Sequence, residues 1–202
     1  CIRDRDGPAA SGKGSLSKKV AQELNFYYME TGIYYRGFAS LFYQNQLNIS
    51  DLPSFISNLN ITDFKQYIKH NKTLYTTKIT KLASELAKNK EIRVFIVKIQ
   101  QNMIITLEND FNGIILEGRD CGSVVAPNAD VKFYLTASLK VRAERRFNQF
   151  VKEKKDISYE QVLIDLKERD VQDKNREHSP LQKPKDAVIV DNSDYNFEET
   201  IN

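Results

Sequence analysis

Residues 7–15 read Gly7-Pro8-Ala9-Ala10-Ser11-Gly12-Lys13-Gly14-Ser15, and no other stretch restricts the possible folds of this chain as strongly. The pattern G-x-x-x-x-G-K, with a hydroxyl residue one position late, is that of a phosphate-binding loop. Small residues let consecutive backbone N–H groups curl around phosphate oxygens. A helix starting directly after the loop aims the positive end of its dipole at the same anion. Leu16, Val20 and Leu24 supply the apolar stripe of such a helix. Lys13 is expected to reach the outer phosphates, and Ser15 is the natural hydroxyl ligand for Mg²⁺. Gly7, Pro8, Ala9, Ala10, Ser11, Gly12, Lys13, Gly14 and Ser15 are therefore the candidate ATP-binding residues. The motif implies a nucleotide phosphate without fixing the reaction.

The residues in front of the loop oppose that frame. A central strand beneath a phosphate loop normally reads as a continuous apolar run, whereas this one reads Cys1-Ile2-Arg3-Asp4-Arg5-Asp6. Burying such charges unpaired is costly. Two readings stay open: a short, frayed strand, or an altered start, which the opening Cys in place of Met favours. The end reads as truncated too, because a helix signal at Phe197-Glu198-Glu199 runs into Asn202.

Downstream the pattern alternates between strand and helix. Strands are predicted at 26–29, 114–116, 131–135 and 187–190, making five with the first. Helices are expected at 32–43, from Ser50-Asp51-Pro53 onward, over 82–110 in two pieces near Asn89, and over 138–154 and 158–176. Residues 61–79 are polar and rich in Tyr and Thr, with a turn signal at His70-Asn71, and are expected to form a short hairpin or irregular insert. Five strands separated by helices predict an α/β fold with a central parallel sheet flanked by helices.

Composition narrows the function classes. A chain of 202 residues can build a single core. No apolar run is long enough for a membrane span, and no signal-peptide run precedes the loop. Two cysteines suggest no disulfide framework and fit a reducing compartment, so a cytoplasmic location is expected. A net charge of +3 suits a phosphate-rich small substrate better than nucleic acid. His70 and His178 lack partners at metal-ligand spacing. No guanine-reading N-K-x-D motif is present, which argues against a regulatory GTPase.

The arginines carry the remaining chemistry. Glu117-Gly118-Arg119-Asp120 follows a predicted strand directly, where open α/β sheets bind ligands. Arg169, Asp173 and Arg176 are spaced four and three apart on a predicted helix, which places two guanidiniums beside one carboxylate. Guanidinium groups grip phosphate as bidentate forks. Arg142, Arg145 and Arg146 form a second cluster that could close over a transferring phosphoryl group.

In these segments the chain resembles the bacterial cytidylate kinases, nucleoside monophosphate kinases of the P-loop class. The resemblance rests on Asp6 to Ser15, on Tyr28 to Arg36, on Gly118-Arg119-Asp120-Cys121-Gly122-Ser123-Val124-Val125, and on Lys167-Glu168-Arg169-Asp170 with Asp173, Arg176 and Ser179-Pro180-Leu181. It covers nearly the full length, in the family's order. It implies one P-loop kinase domain over 1–202, with a short NMP-binding insert at about 59–80 and a helical lid at about 142–158. It implies transfer of the ATP γ-phosphoryl group to CMP and dCMP with Mg²⁺, in a monomer that binds neither nucleic acid nor membrane.

By the same resemblance, Arg36, Arg119 and Arg176 hold the acceptor phosphate with Thr31 nearby. Ser84, Arg93 and Asp120 read the cytosine, and Arg169 and Asp173 hold the sugar. Lys13, Arg119, Arg142, Arg146 and Arg176 are the catalytic set. Three departures stand out: Glu30 where the family has Asp, a short insert, and the charged first strand. Two alternatives remain: a nucleotide-binding protein that has lost catalysis through that strand, or a kinase with another small acceptor such as UMP.

Overall fold

The computed structural model describes residues 2–201. The chain forms two compact units, one running up to Met29 and resuming at Leu107, the other Glu30–Thr106.

The first unit is built on a five-stranded sheet. Its strands are β1 (Ile2–Asp6), β2 (Tyr27–Glu30), β3 (Ile114–Glu117), β4 (Val131–Thr136) and β5 (Val188–Asp191), in the order β2-β3-β1-β4-β5. β1 runs parallel to both β3 and β4, and β4 parallel to β5. The helices are α1 (Lys13–Leu24), α7 (Leu139–Lys152), α8 (Tyr159–Asn175) and α9 (Phe197–Ile201), numbered along the whole chain. Ile114, Ile115 and Leu116 of β3 are fully buried, as a central parallel strand requires. Ser138 and Ser158 cap α7 and α8 through the N–H groups of Val141 and Gln161. Ala143, Val162 and Leu166 make a small core between those two helices, bordered by an edge-on Phe147–Tyr159 pair.

The charged first strand is neither short nor frayed. β1 is central, and it pairs Asp4 with Leu116 on one side and with Lys132 on the other. Alternation separates the charges. Asp4 and Asp6 are wholly buried, while the guanidiniums of Arg3 and Arg5 lie over the rings of Phe26 and Phe133, at 5.4 and 5.6 Å. Asp6 accepts two backbone N–H bonds, from Cys121 at 2.9 Å and Gly122 at 3.0 Å. Asp4 has no such support: among the described residues neither of its oxygens makes a hydrogen bond of ordinary geometry. Burial above all, then the Asp6 carboxyl beside it, push the Asp4 pKa up to about 8, against smaller opposing pulls from the Phe133 N–H and Lys132. The strand is tolerated because Asp4 keeps its proton at neutral pH, which removes a charge from the buried pair; burial also pushes the Asp6 pKa up, against the pull of the Cys121 and Gly122 N–H groups.

The second unit is helical: α2 (Gly32–Gln44), α3 (Leu52–Asn58), α4 (Ile61–His70), α5 (Thr77–Leu86) and α6 (Lys90–Asp110) as far as Thr106. Its core gathers Phe38, Phe64, Leu74, Ile92 and Ile96, all nearly inaccessible, with Phe55 and Phe95 edge-on to Phe38. Residues 61–79, expected as a hairpin or irregular insert, are instead α4, a 3₁₀ turn (Lys72–Tyr75) and the start of α5. Asn60 starts α4 by accepting from the Thr62 and Asp63 N–H groups, and Phe64 and Ile68, one turn apart, bury its apolar face. The turn expected at His70-Asn71 is present, with Asn71 accepting from Thr73. The expected break near Asn89 also appears, as Asn89 caps α6 through the N–H groups of Glu91 and Ile92.

Candidate active site

The loop after β1 has the backbone that its small residues permit. Gly7 sits at φ 147°, and a Cβ there would lie 2.0 Å from the Leu135 carbonyl oxygen, so only glycine can leave β1 this close to β4. Ala10 and Gly12 take left-handed conformations, which turn loop amides toward a common concavity. Gly12 then accepts the first helical N–H, from Leu16 at 3.1 Å.

Contacts from distant elements brace this loop. Ala9 packs into the α7–α8 core. Arg142, expected in a lid, is buried in this form. It donates to the Ala9 and Ala137 carbonyls at 3.1 and 2.9 Å and pairs with Asp170 at 2.6 Å. Asn192, just beyond β5, donates to the Ser11 carbonyl at 3.2 Å and is itself held by Arg145 at 2.9 Å. Arg146 lies along α7, bonded to Gln149 and set over the Phe150 ring.

Lys13 is 3% exposed and curls back onto the loop, donating to the Pro8 carbonyl at 2.7 Å and to Ser11 Oγ at 3.4 Å. Burial, followed by the charge of Arg119, pushes its pKa down to about 7, with Glu117 and Asp6 opposing. An anion seated in the loop would restore its full charge.

Arg119 leaves the end of β3 and donates to Asp173 at 3.2 Å and to the Gly118 carbonyl at 3.0 Å. Burial works against its charge, but Asp173 and Glu117 outweigh it and hold the guanidinium above its ordinary pKa. Asp173 also faces Arg176 at 3.6 Å and Arg169 at 3.9 Å. The four-and-three spacing read from sequence thus sets two arginines on one carboxylate, and Arg119 joins them from the end of β3. Arg176 caps the end of α8 and donates to the Ser179 carbonyl. Asp120 is buried at the start of a short π-turn, Cys121–Val125. Asp6 is a residue that sequence reasoning missed in this role. Sitting at the head of the phosphate loop, it shapes the turn after Arg119 through its two backbone bonds; a carboxylate at a strand end before Gly7 was the available signal.

In the second unit, Thr31 is buried and its carbonyl accepts from Gln100 at 2.9 Å. Arg36, on the first turns of α2, bonds Glu30 at 2.7 Å. Arg93 is buried, donates to the Ala87 carbonyl at 3.1 Å and lies over the Tyr35 ring. Ser84 is half-buried on α5. The predicted acceptor set therefore divides by unit: Thr31, Arg36, Ser84 and Arg93 belong to the second, and Arg119, Asp120, Arg169, Asp173 and Arg176 to the first.

Ser15 is exposed in the first turn of α1. Among the described residues, no group of three or more His, Cys, Asp or Glu side chains could hold a metal ion. One hydroxyl oxygen suits a hard cation such as Mg²⁺, which takes its other ligands from phosphates and water.

The sequence pattern of the cytidylate kinases matches residues 5–202. Cytidylate kinase from Bartonella tribocorum is 36% identical over 195 residues, covering 96% of this chain and 88% of its own. The Fusobacterium nucleatum cytidylate kinase is 37% identical over 205 residues, covering 98% and 92%. A crystal structure from Thermus thermophilus matches the fold alone, with a TM-score of 0.51 at 12% identity over 99% of this chain and 91% of that one. A phosphate loop, an arginine cluster on Asp173 and a family match over almost the whole length agree, and the chain belongs to the cytidylate kinase family of nucleoside monophosphate kinases.

Proposed function

We propose that this chain transfers the γ-phosphoryl group of ATP to CMP and dCMP, giving ADP with CDP or dCDP. One observation carries the reading: Lys13 is folded into a nucleotide-phosphate loop, and in the same unit Arg119, Arg169 and Arg176 gather on the Asp173 carboxylate. Phosphoryl transfer needs positioned positive charge more than an acid or a base.

A phosphate oxygen of CMP attacks the γ-phosphorus in line with the departing ADP oxygen. The acceptor phosphate is already anionic, so no protein group need remove a proton. Arg36, Arg119 and Arg176 take the acceptor phosphate, with Thr31 beside it. Ser84, Arg93 and Asp120 read the cytosine, and Arg169 and Asp173 the sugar. Lys13 and Arg146 offset charge on the group in flight, while Arg142 contributes by fixing the loop at Ala9. Ser15 would hold Mg²⁺, which supplies charge neutralisation across the donor phosphates when bound. The working form is a cytoplasmic monomer that takes ATP and CMP or dCMP and uses neither nucleic acid nor membrane. Among the described residues no helix is long and apolar enough to cross a membrane.

The test is ADP release from Mg-ATP with CMP, dCMP, UMP, AMP or no acceptor. Turnover with CMP and dCMP alone is expected. Equal turnover with UMP, or none with any acceptor, overturns the reading.

A further inference from the structure

Arg36 is held in a closed ring of three side chains. Its Nη1 donates to Glu30 Oε1 at 2.7 Å. The other oxygen of that carboxylate, Oε2, accepts from the Tyr75 hydroxyl at 2.8 Å. The Tyr75 ring in turn lies 4.9 Å from the Arg36 guanidinium carbon. Each member therefore touches the other two. Arg36 and Glu30 are largely shielded, with side chains 18% and 17% exposed, whereas Tyr75 is half exposed.

The surroundings are arranged for this ring. Tyr75 ends the 3₁₀ turn Lys72–Tyr75, whose neighbour Leu74 is completely buried and anchors the turn. Asn71 fixes the start of that turn by accepting from the Thr73 N–H and hydroxyl, at 2.9 and 2.7 Å. At Gly32 a Cβ would come within 3.1 Å of Arg36 Nη1, so the missing side chain leaves room for the guanidinium at the start of α2. One donor of the fork is left over: among the described residues, the buried Arg36 Nε has no acceptor. A buried donor without a partner is costly unless a ligand supplies one.

We propose that Tyr75 and Glu30 are positioning residues for the acceptor nucleotide, acting through Arg36. Glu30 grips one edge of the guanidinium and Tyr75 covers one face, which fixes the orientation of the fork before the acceptor's phosphate arrives. An arginine on a flexible stem must otherwise be ordered when the ligand arrives, and that ordering weakens binding. The ring does the ordering beforehand. The extra methylene of Glu30 gains a purpose here, because its carboxylate spans Arg36 and Tyr75 together. The inference rests on the reading of Arg36 as an acceptor-phosphate ligand.

The experiment measures kcat, and KM for CMP and for ATP separately, in Arg36→Ala, Tyr75→Leu, Tyr75→Phe, Glu30→Gln and the double variant Arg36→Ala/Tyr75→Leu. Tyr75→Leu should raise the KM for CMP about fivefold, the scale of one lost ring–cation contact, leaving the KM for ATP and kcat nearly unchanged. Tyr75→Phe keeps the ring and should recover about half of that loss on a logarithmic scale. Glu30→Gln should raise the KM for CMP as well. In the Arg36→Ala background Tyr75→Leu should cost nothing more, because Tyr75 acts through Arg36.

Arg36→Ala with an unchanged KM for CMP would remove the reading of Arg36, and the inference with it. A raised KM in Arg36→Ala alongside an unchanged Tyr75→Leu would keep that reading and refute the positioning role. Equal losses for CMP and ATP in Tyr75→Leu, with a lowered melting temperature, would make Tyr75 structural only and would also refute it.

Discussion

The strand of residues 2–6 and the loop of residues 7–15 adjoin in the chain and are stabilised in opposite ways. The loop is locally determined: its glycines and small residues permit the left-handed turns and the close approach to Leu135. The strand is determined from elsewhere. Its four charges are accommodated by two backbone N–H groups at Cys121 and Gly122, by the rings of Phe26 and Phe133, and by a proton on Asp4. The contrast is sharpest between Asp4 and Asp6, which lie two residues apart on one strand and are equally buried. Asp6 has hydrogen-bond donors, which oppose the upward push of burial on its pKa; Asp4 has a neighbouring carboxyl, which adds to that push. Burial alone does not decide whether a carboxyl is useful, because the groups that converge on it decide which form is stable.

The largest effect belongs to the loop. Lys13→Ala should lower kcat by about a thousandfold or more with an unchanged far-ultraviolet circular dichroism spectrum. Near-normal ADP release from that variant would remove the lysine from the chemistry.

The next concerns the strand. An acid whose pKa is raised on folding costs stability progressively once the unfolded chain can ionise it. Asp4 moves from 3.8 to about 8, so stability is fully present below the lower value and declines as pH rises toward the upper one. The full decline is on the order of 5 kcal/mol. Urea unfolding from pH 5 to pH 9 should show that slope in the unaltered protein and a flatter one in Asp4→Asn. Parallel slopes would refute the assignment.

A smaller effect tests the packing where strand and turn meet. A Cβ at Gly122 would lie 2.1 Å from Asp4 Oδ2, so Gly122→Ala should cost about 1–3 kcal/mol. Combined with Asp4→Ala, which removes the clashing carboxyl, most of that cost should vanish. Equal costs in both backgrounds would place the strain elsewhere.

The smallest returns to the loop. With its pKa near 7, Lys13 is partly neutral at pH 7.5, and nucleotide binding should take up a fraction of a proton. Calorimetry of ATP binding in two buffers of different ionisation enthalpy would detect it, and buffer-independent heats would contradict it.

Much of the fold and part of the site could be read from sequence. The phosphate loop, four of the strands and the paired helices 138–154 and 158–176 follow from glycine placement and apolar periodicity, which act over a few residues. So does the 169/173/176 face, since helix geometry alone puts those side chains together. What could not be read depends on long-range contacts. The bracing of the loop by Arg142 and Asn192 arises from residues more than 130 positions away from it. The helical character of 61–70 was hidden because a Tyr/Thr-rich composition outweighed the Asn60 cap and the Phe64–Ile68 pair. The strand at 2–6 misled because its charges were weighed without the partners that the fold brings to them.

The measurement that bears most directly on this account is the titration of the Asp4 carboxyl carbon by NMR in the folded protein from pH 5 to pH 10, with Asp4→Asn fixing the assignment. The account predicts a protonated carboxyl at pH 6 that titrates near 8. A carboxylate already ionised at pH 6 in the folded protein would contradict it, and the tolerance of a charged strand beneath the phosphate loop would need another cause.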